Sequence, residues 1–357
     1  MLTNNSHCVA EHTHCAVILY VIKQALRRGR VPQLRQNIIT GEWVVIAPER
    51  SQRPHDFKIP SSHKNESGTE KPCVFCVGSP AYQTRIHTYE SNIIYVIPNK
   101  YPAFVENPEY CSMRSKIDPS GFYTTMPSVG GHDVVIVKDH DCDIYSFSTG
   151  IWTELFLMTK RRYEHWRENR TCDYSMMIYN HGVPAGASID HPHAQTFASN
   201  IIPSYIIKEI KGSKKYYNSH KSCVYCDLIV YEQKQKVRIV AENDLFFACT
   251  FYAARFPYEV WVLPKHHQSH FDSEGQRTLI ELAQIMHVVF EKIGKTLNNP
   301  PLNFYIHDSP TRDGEKNYYH WHIEITPRLS HYGGYEIGSE VVIDVQSPEN
   351  TAEYLNS

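Results

Sequence analysis

One ordered set of residues occurs twice in this chain, and it limits the fold more than anything else in the sequence. The first copy runs Cys73-Val-Phe-Cys76, an apolar strand from Ile93 to Ile97, a second strand within His132-Asp-Val-Val-Ile-Val-Lys-Asp-His140, a helix, another strand and His191-Pro192-His193. The second copy runs Cys223-Val-Tyr-Cys226, a strand from Leu245 to Cys249, Tyr258-Glu-Val-Trp-Val-Leu-Pro-Lys-His-His267, a helix, a strand and His320-Trp321-His322. A Cys pair, a His, a helix and a His-x-His in the same order twice is the mark of a tandem repeat, and each copy must then build the same unit. The helices follow from periodicity. Trp152, Leu155, Phe156, Tyr163 and Trp166 share one face of 151–169, and Leu279, Leu282, Met286, Phe290, Ile293 and Leu297 share one face of 276–298. The expected fold class is α+β, with two tandem units, each an antiparallel sheet with a long helix.

The length of 357 residues accommodates two such units. The spacing divides the chain into an N-terminal extension over 1–37, expected to be mobile because chain ends commonly are, a first unit over 38–212, a second over 213–346 and a tail over 347–357. The extension holds His7, Cys8, His12, His14 and Cys15 without a core pattern around them, and no function is assigned to them. With 36 Lys and Arg against 38 Asp and Glu, the net charge is −2. That balance supplies no electrostatic basis for nucleic acid or an anionic membrane as partner. The longest wholly apolar candidate, Ala16 to Ile22, falls far short of the ~18 residues of a membrane span. It is followed by Lys23, Arg27 and Arg28 and has no basic segment before it, unlike a secretory signal. A cytoplasmic protein is expected.

Ten Cys and 21 His are unusual in such a chain. Cys73 and Cys76, with two residues between them, place two thiolates on one tight turn, and two imidazoles complete a tetrahedral zinc shell; His140 and His191 are the first unit's candidates. The repeat then names Cys223, Cys226, His267 and His320 for the second. A single Cys-x-x-Cys would equally suit a redox pair or two buried thiols, whereas its duplication with matched histidines favours metal. Neither set leaves an open position, so two structural zinc ions per chain are expected.

The segment from Asn180 to Gln195, Asn-His-Gly-Val-Pro-Ala-Gly-Ala-Ser-Ile-Asp-His-Pro-His-Ala-Gln, concentrates the chemistry. Its Gly186 and Ser188 belong to a loop small enough for backbone N–H groups to approach phosphate oxygens. His191, His193 and Gln195 alternate, so in an extended segment they project to one side. A neutral His193 beside a metal-fixed His191 can attack phosphorus, and Gln195 can donate to a phosphoryl oxygen as charge develops. The plainer alternatives are that both histidines are zinc ligands, or core histidines satisfied by carbonyls.

These residues resemble a known family. Asn180 to Gln195, with its His-Pro-His-x-Gln core, is similar to the active-site motif of the galactose-1-phosphate uridylyltransferases, members of the histidine-triad superfamily built from two such units. The resemblance runs from about Leu34 to Asp344. It includes Thr40-Gly-Glu-Trp-Val-Val-Ile-Ala-Pro-Glu-Arg50-Ser-Gln-Arg53-Pro, Asn99-Lys100-Tyr-Pro-Ala, and Gly334-Tyr335-Glu336. It implies two histidine-triad-like units and a double displacement: His193 takes the uridylyl group of UDP-glucose, releases glucose 1-phosphate, and passes the group to galactose 1-phosphate. It further implies that Asn180, Gly186, Ser188 and Gln195 hold phosphates and ribose, that Arg50, Arg53 and Asn99 contact the nucleotide, and that Tyr335 and Glu336 contact the hexose across a homodimer interface.

Two departures qualify the resemblance. The best-known uridylyltransferases lack the second Cys-x-x-Cys and carry another metal site, whose positions here are Glu209, His307 and His322. The Cys223 and Cys226 pair instead resembles a plant-type branch acting on ADP-glucose with phosphate. No Gln follows Tyr335-Glu336 where the family's hexose-binding Gln falls. A related nucleotidyltransferase such as an ADP-glucose phosphorylase is therefore the alternative enzyme. A zinc-stapled binding module is the alternative of another class, opposed by the near-zero charge and the lack of a basic cluster with interleaved aromatics.

Overall fold

The computed structural model describes residues 32–52, 73–106, 116–117, 121–169 and 172–357. Arg53 and the N-terminal His and Cys residues lie outside the described residues. Strands β1 (Gln33–Gln36), β2 (Trp43–Ile46), β3 (Ile94–Pro98), β4 (Lys116–Ile117), β5 (Thr124–Thr125), β6 (Gly130–Val137), β7 (Tyr174–His181) and β8 (His193–Ser199) occupy the first half. The second holds β9 (Ile239–Glu242), β10 (Phe246–Thr250), β11 (Val260–Pro264), β12 (Leu302–His307), β13 (His322–Pro327) and β14 (Val342–Asp344). The helices are α1 (Thr149–Asn169), α2 (Ser204–His220), α3 (Val224–Gln235), α4 (Gln276–Leu297), α5 (Gly334–Ser339) and α6 (Pro348–Leu355).

Nine strands form one sheet in the order β3-β6-β8-β7-β12-β13-β11-β10-β9, every neighbouring pair antiparallel. The four strands β3, β6, β8 and β7 are answered in reverse by β12, β13, β11 and β10, so the repeat is a pseudo-two-fold centred between β7 and β12. Residues pair across that centre, Asn180 with Asn303 and Tyr179 with Phe304. The repeat predicts one sheet per unit; the structure fuses them. Unfused, β7 and β12 would each present a row of unpaired backbone N–H and C=O groups.

Alternation along the strands separates the two faces. Val135, Val137, Ala194, Ala198, Val260, Val262, Phe304, Ile323 and Ile325 face α1 and α4 in the main core. There Trp152 of α1 lies 4.8 Å from Phe290 of α4, ring centre to ring centre. On the opposite face Val134 and Ile136 pack with Phe75 and Tyr95, and Trp261 and Leu263 pack with Cys223, Val224 and Tyr225. His132, His193 and Gln195 share this second face, which is where function must be sought. Gly130, at φ +149°, permits the tight β6–β8 crossing: a Cβ there would lie 1.9 Å from the Ala198 carbonyl oxygen.

Of the expected boundaries, 37 and 346 fall between elements and 212 inside one, and contacts cross all three. β1, within 1–37, pairs with β2, which also takes β14 as a parallel neighbour. Position 212 falls inside α2, whose Gly212 lies against the Ile39 carbonyl so closely that a Cβ would reach 1.6 Å. The tail forms α6, and its Glu349 accepts from both Arg35 (2.9 Å) and Arg238 (2.7 Å). These contacts depend on charge pairing between residues over a hundred positions apart, which strand and helix periodicity does not carry. Among the described residues no helix is long and apolar enough to cross a membrane.

Candidate active site and metal groups

The Cys73–Cys76 turn meets the end of β6 and the start of β8. Cys73 Sγ lies 3.5 Å from His191 Nδ1, Cys76 Sγ 3.4 Å from His140 Nδ1, and the two imidazole nitrogens 3.0 Å apart. His191 Nε2 donates to the Val137 carbonyl at 2.6 Å, which leaves Nδ1 with its lone pair turned to the sulfurs. Zinc–sulfur bonds of about 2.3 Å and zinc–nitrogen bonds of about 2.0–2.1 Å at the tetrahedral angle give sulfur–nitrogen edges of roughly 3.5 Å. The donor set, the spacing and the tautomer all fit zinc.

The second unit repeats the arrangement. Cys226 Sγ is 3.4 Å from His267 Nδ1 and 3.7 Å from His320 Nδ1, while Nε2 of His267 donates to the Lys316 carbonyl and that of His320 to Pro264. Cys226 donates to Cys223, which pulls the Cys223 thiol well down and holds that of Cys226 up. His267 is raised chiefly by its bond to Cys223. The four donors of each set lie within 4.8 Å of one another.

A third group was only partly visible in the sequence. Glu209 of α2, His307 of β12, and His322 and Glu324 of β13 are all buried, with every donor within 4.8 Å. His307 Nδ1 is 3.1 Å from Glu209 Oε1, and His322 Nε2 is 3.7 Å from the same oxygen and 3.6 Å from Glu324 Oε1. Among the described residues His322 Nε2 and Glu324 Oε1 have no hydrogen-bond partner. Burial pushes His307 down, but the two carboxylates outweigh it and hold it above its ordinary value. Because His320 belongs to the Cys223 set and Glu324 completes this one, the Glu209 positions and the second Cys-x-x-Cys, posed as alternatives by the resemblance, occur together. Glu324 was missed, although a signal existed: it stands to His322 as Gln195 stands to His193. A fourth collection, His270, Asp272 and Asp308, is covered by Arg167, whose Nη2 is 2.6 Å from Asp272 Oδ1 and 2.7 Å from His270 Nδ1.

His193 opens β8 beside the first metal group. Its Nδ1 donates to the His191 carbonyl at 2.7 Å, so Nε2 keeps the lone pair, and burial lowers its proton affinity. His193 is not among the four residues whose donor atoms converge in the Cys73 group. Phe75 packs edge-on against its ring at 5.2 Å. Gln195 Oε1 receives the Nε2–H of His132 at 2.9 Å. Asn180 Oδ1 receives Asn303 Nδ2 at 2.7 Å. Gly186 adopts φ +87° in the exposed loop that carries Ser188, a conformation glycine takes readily. Asn99, after β3, lies with Nδ2 3.1 Å from His132 Nε2.

Other expected residues are carried by other elements. Arg50 follows β2 in a short 3₁₀ turn (Pro48–Gln52). Tyr335 and Glu336 sit on α5, with Tyr335 exposed and Glu336 Oε2 accepting from Gly333 N at 2.9 Å. Among the described residues no hydrogen bond joins either side chain to the His193 segment.

Known proteins resemble the chain over most of its length. Residues 23–203 match the model of the galactose-1-phosphate uridyl transferase N-terminal domain, and 209–352 that of its C-terminal domain. ADP-glucose phosphorylase of Arabidopsis thaliana is 31% identical over 332 residues, 91% of this chain and 92% of that protein. Galactose-1-phosphate uridylyltransferase of Thermotoga maritima is 26% identical over 332 residues, 90% of this chain and 97% of that one. Among solved structures, an Arabidopsis thaliana ADP-glucose phosphorylase with bound ADP-glucose superposes with a TM-score of 0.77 at 29% identity, covering 92% of this chain and 99% of the other. A uridylyltransferase superposes at 0.71 with 24% identity, over 91% and 97%, and so shares the fold.

Proposed function

Since the chain belongs to the galactose-1-phosphate uridyl transferase family, whose members are nucleotidyltransferases, we propose that it cleaves a nucleotide sugar by double displacement at His193. The observation that carries this reading is the His193 tautomer: Nδ1 is tied to the His191 carbonyl, and the lone pair is on Nε2. That lone pair attacks the α-phosphorus, a nitrogen–phosphorus bond forms, and the bond to the bridging oxygen breaks with release of hexose 1-phosphate. An acceptor oxygen then attacks the same phosphorus, the nitrogen–phosphorus bond breaks, and neutral His193 returns. Phosphoryl transfer of this kind needs positioning and charge stabilisation more than covalent help. Gln195 and Asn180 donate to phosphoryl oxygens, Gly186 and Ser188 line the phosphates and ribose, and Arg50, Arg53 and Asn99 contact the nucleotide. Tyr335 and Glu336 contact the hexose from across a homodimer, in a cytoplasmic enzyme.

Zinc at Cys73, Cys76, His140 and His191, and at Cys223, Cys226, His267 and His320, supplies structural cross-links, the first bracing the segment that presents His193. The Glu209, His307, His322 and Glu324 group, without sulfur, suits a harder divalent ion.

For donor and acceptor, ADP-glucose and inorganic phosphate are supported by the 31% identical relative named for that activity, and by the missing Gln after Tyr335-Glu336. UDP-glucose with galactose 1-phosphate, the pairing first expected, is supported by the 26% identical relatives. A panel crossing UDP- and ADP-sugars with galactose 1-phosphate, glucose 1-phosphate and phosphate separates the two. Phosphate-dependent release of ADP is expected; turnover only with a sugar phosphate would return the assignment to uridylyl transfer.

A further inference from the structure

The amide of Gln195 can face the phosphoryl site with either its oxygen or its NH2, and only the second helps an anion. Three contacts decide between them. The Ala103 backbone N–H donates to His132 Nδ1 at 3.1 Å, so that nitrogen must hold a lone pair. A neutral imidazole then carries its proton on Nε2, whose two polar neighbours are Gln195 Oε1 at 2.9 Å, an acceptor, and Asn99 Nδ2 at 3.1 Å, itself a donor, so the proton is given to Gln195. With Oε1 so engaged, the Gln195 amide nitrogen has no hydrogen-bond partner among the described residues and is turned away from His132. His132 is itself held: its ring stacks on Phe197 at 4.0 Å.

We propose that His132 is a positioning residue that fixes the Gln195 amide with its NH2 toward the transferred phosphoryl group. The proposal rests on the nucleotidyl-transfer reading of His193. The chain supplies an internal comparison. By the repeat, the counterparts of His132, His193 and Gln195 are Glu259, His322 and Glu324. There the pair is two carboxylates: Glu259 takes Trp261 Nε1–H at 2.7 Å and the backbone N–H of Arg255 at 2.8 Å, and Glu324 lies 3.5 Å from the Arg255 guanidinium. Both members of the pair differ together in the unit whose equivalent histidine is sealed among acids. A fixed amide donor is thus present beside His193 and absent beside His322. Burial also lowers the proton affinity of His132, which preserves the single-proton form.

The test uses the full-length, metal-loaded protein and its best nucleotide sugar. His132→Leu should lower kcat about 10–100-fold, less than the roughly 10²–10³-fold that outright removal of an anion donor costs, with KM changed less than about threefold. His132→Gln, which can still donate to Gln195 and accept from Ala103, should recover most of the loss. In a Gln195→Ala background His132→Leu should cost less than about twofold, because its target is gone. A penalty that persists in full on Gln195→Ala would overturn the proposal. Imidazole 15N NMR of the substrate-free protein reads the His132 tautomer directly, and a protonated Nδ1 would also overturn it. That spectrum needs no turnover, so a wild-type protein inactive on every nucleotide sugar would sink the functional reading separately.

Discussion

Asn303 of the second unit donates to Asn180 Oδ1 and to the Ala185 carbonyl of the first unit, each at 2.7 Å. One side chain thereby fixes both the amide and the loop expected to hold the phosphates. Asn303→Leu removes both bonds, worth together roughly 1–3 kcal/mol. A fall in kcat/KM of about 10–100-fold is expected, with the melting temperature shifted by only a few degrees. Full activity in steady-state assays would show that Asn180 needs no such support.

The two Cys2His2 groups should differ in consequence. Cys73→Ser loosens His191, whose carbonyl orients His193, so one zinc equivalent and about 10–100-fold in kcat should go together. Cys226→Ser should release one zinc with a larger loss of melting temperature than of kcat, because His320 leads into His322 and not into the nucleophile. Metal analysis beside kinetics on both variants checks the contrast; equal kinetic losses would contradict it.

Glu209 is wholly buried against His307, and its Oε2 also receives Tyr319 Oη–H at 2.9 Å. Glu209→Ala should destabilise by about 3–5 kcal/mol, the cost of breaking a buried charged set. Metal analysis of wild type should return one divalent ion beyond the two zinc, and this variant should lack it. A wild-type count of two would take the group out of the metal reading.

Glu90 clasps three partners: Lys138 at 2.8 Å, Tyr82 at 2.7 Å and Arg85 at 2.6 Å. Their hydrogen bonds, Lys138's foremost, lower its carboxyl to about 2. A depressed carboxyl adds stability that is complete above its ordinary value and is lost as pH falls toward the folded value. The melting-temperature gap between wild type and Glu90→Gln should therefore be flat from pH 7 to about 5.5 and shrink below about 4.5. A gap unchanged at pH 4 would mean that the clasp is not ionic.

Local pattern carried much of this molecule. The helix faces were readable because Trp152 and Phe290 recur with helical period, and the clustering of both Cys2His2 groups because the repeat supplied each residue twice. What stayed hidden depends on contacts between distant segments. Nothing near Asn303 in sequence announces Asn180, since the β7–β12 pairing that brings them together is a choice of sheet neighbour. His132 read as one more strand residue. Its meaning lies in which nitrogen carries a proton, and that is set by Ala103 and Gln195 from two other segments. Glu349 looked like tail because its partners Arg35 and Arg238 are over a hundred positions away.

The shared sheet also bears on how the chain can be cut. A fragment ending near residue 203 would lose the partner of β7 at Ile178 to His181, and one beginning near 209 the partner of β12 at Leu302 to Tyr305, each a bare template for strand addition. Separately produced halves should aggregate or pair with themselves, and recover only when expressed together. Duplication here left two recognisable units that cannot be used as separable parts, because each caps the growing edge of the other.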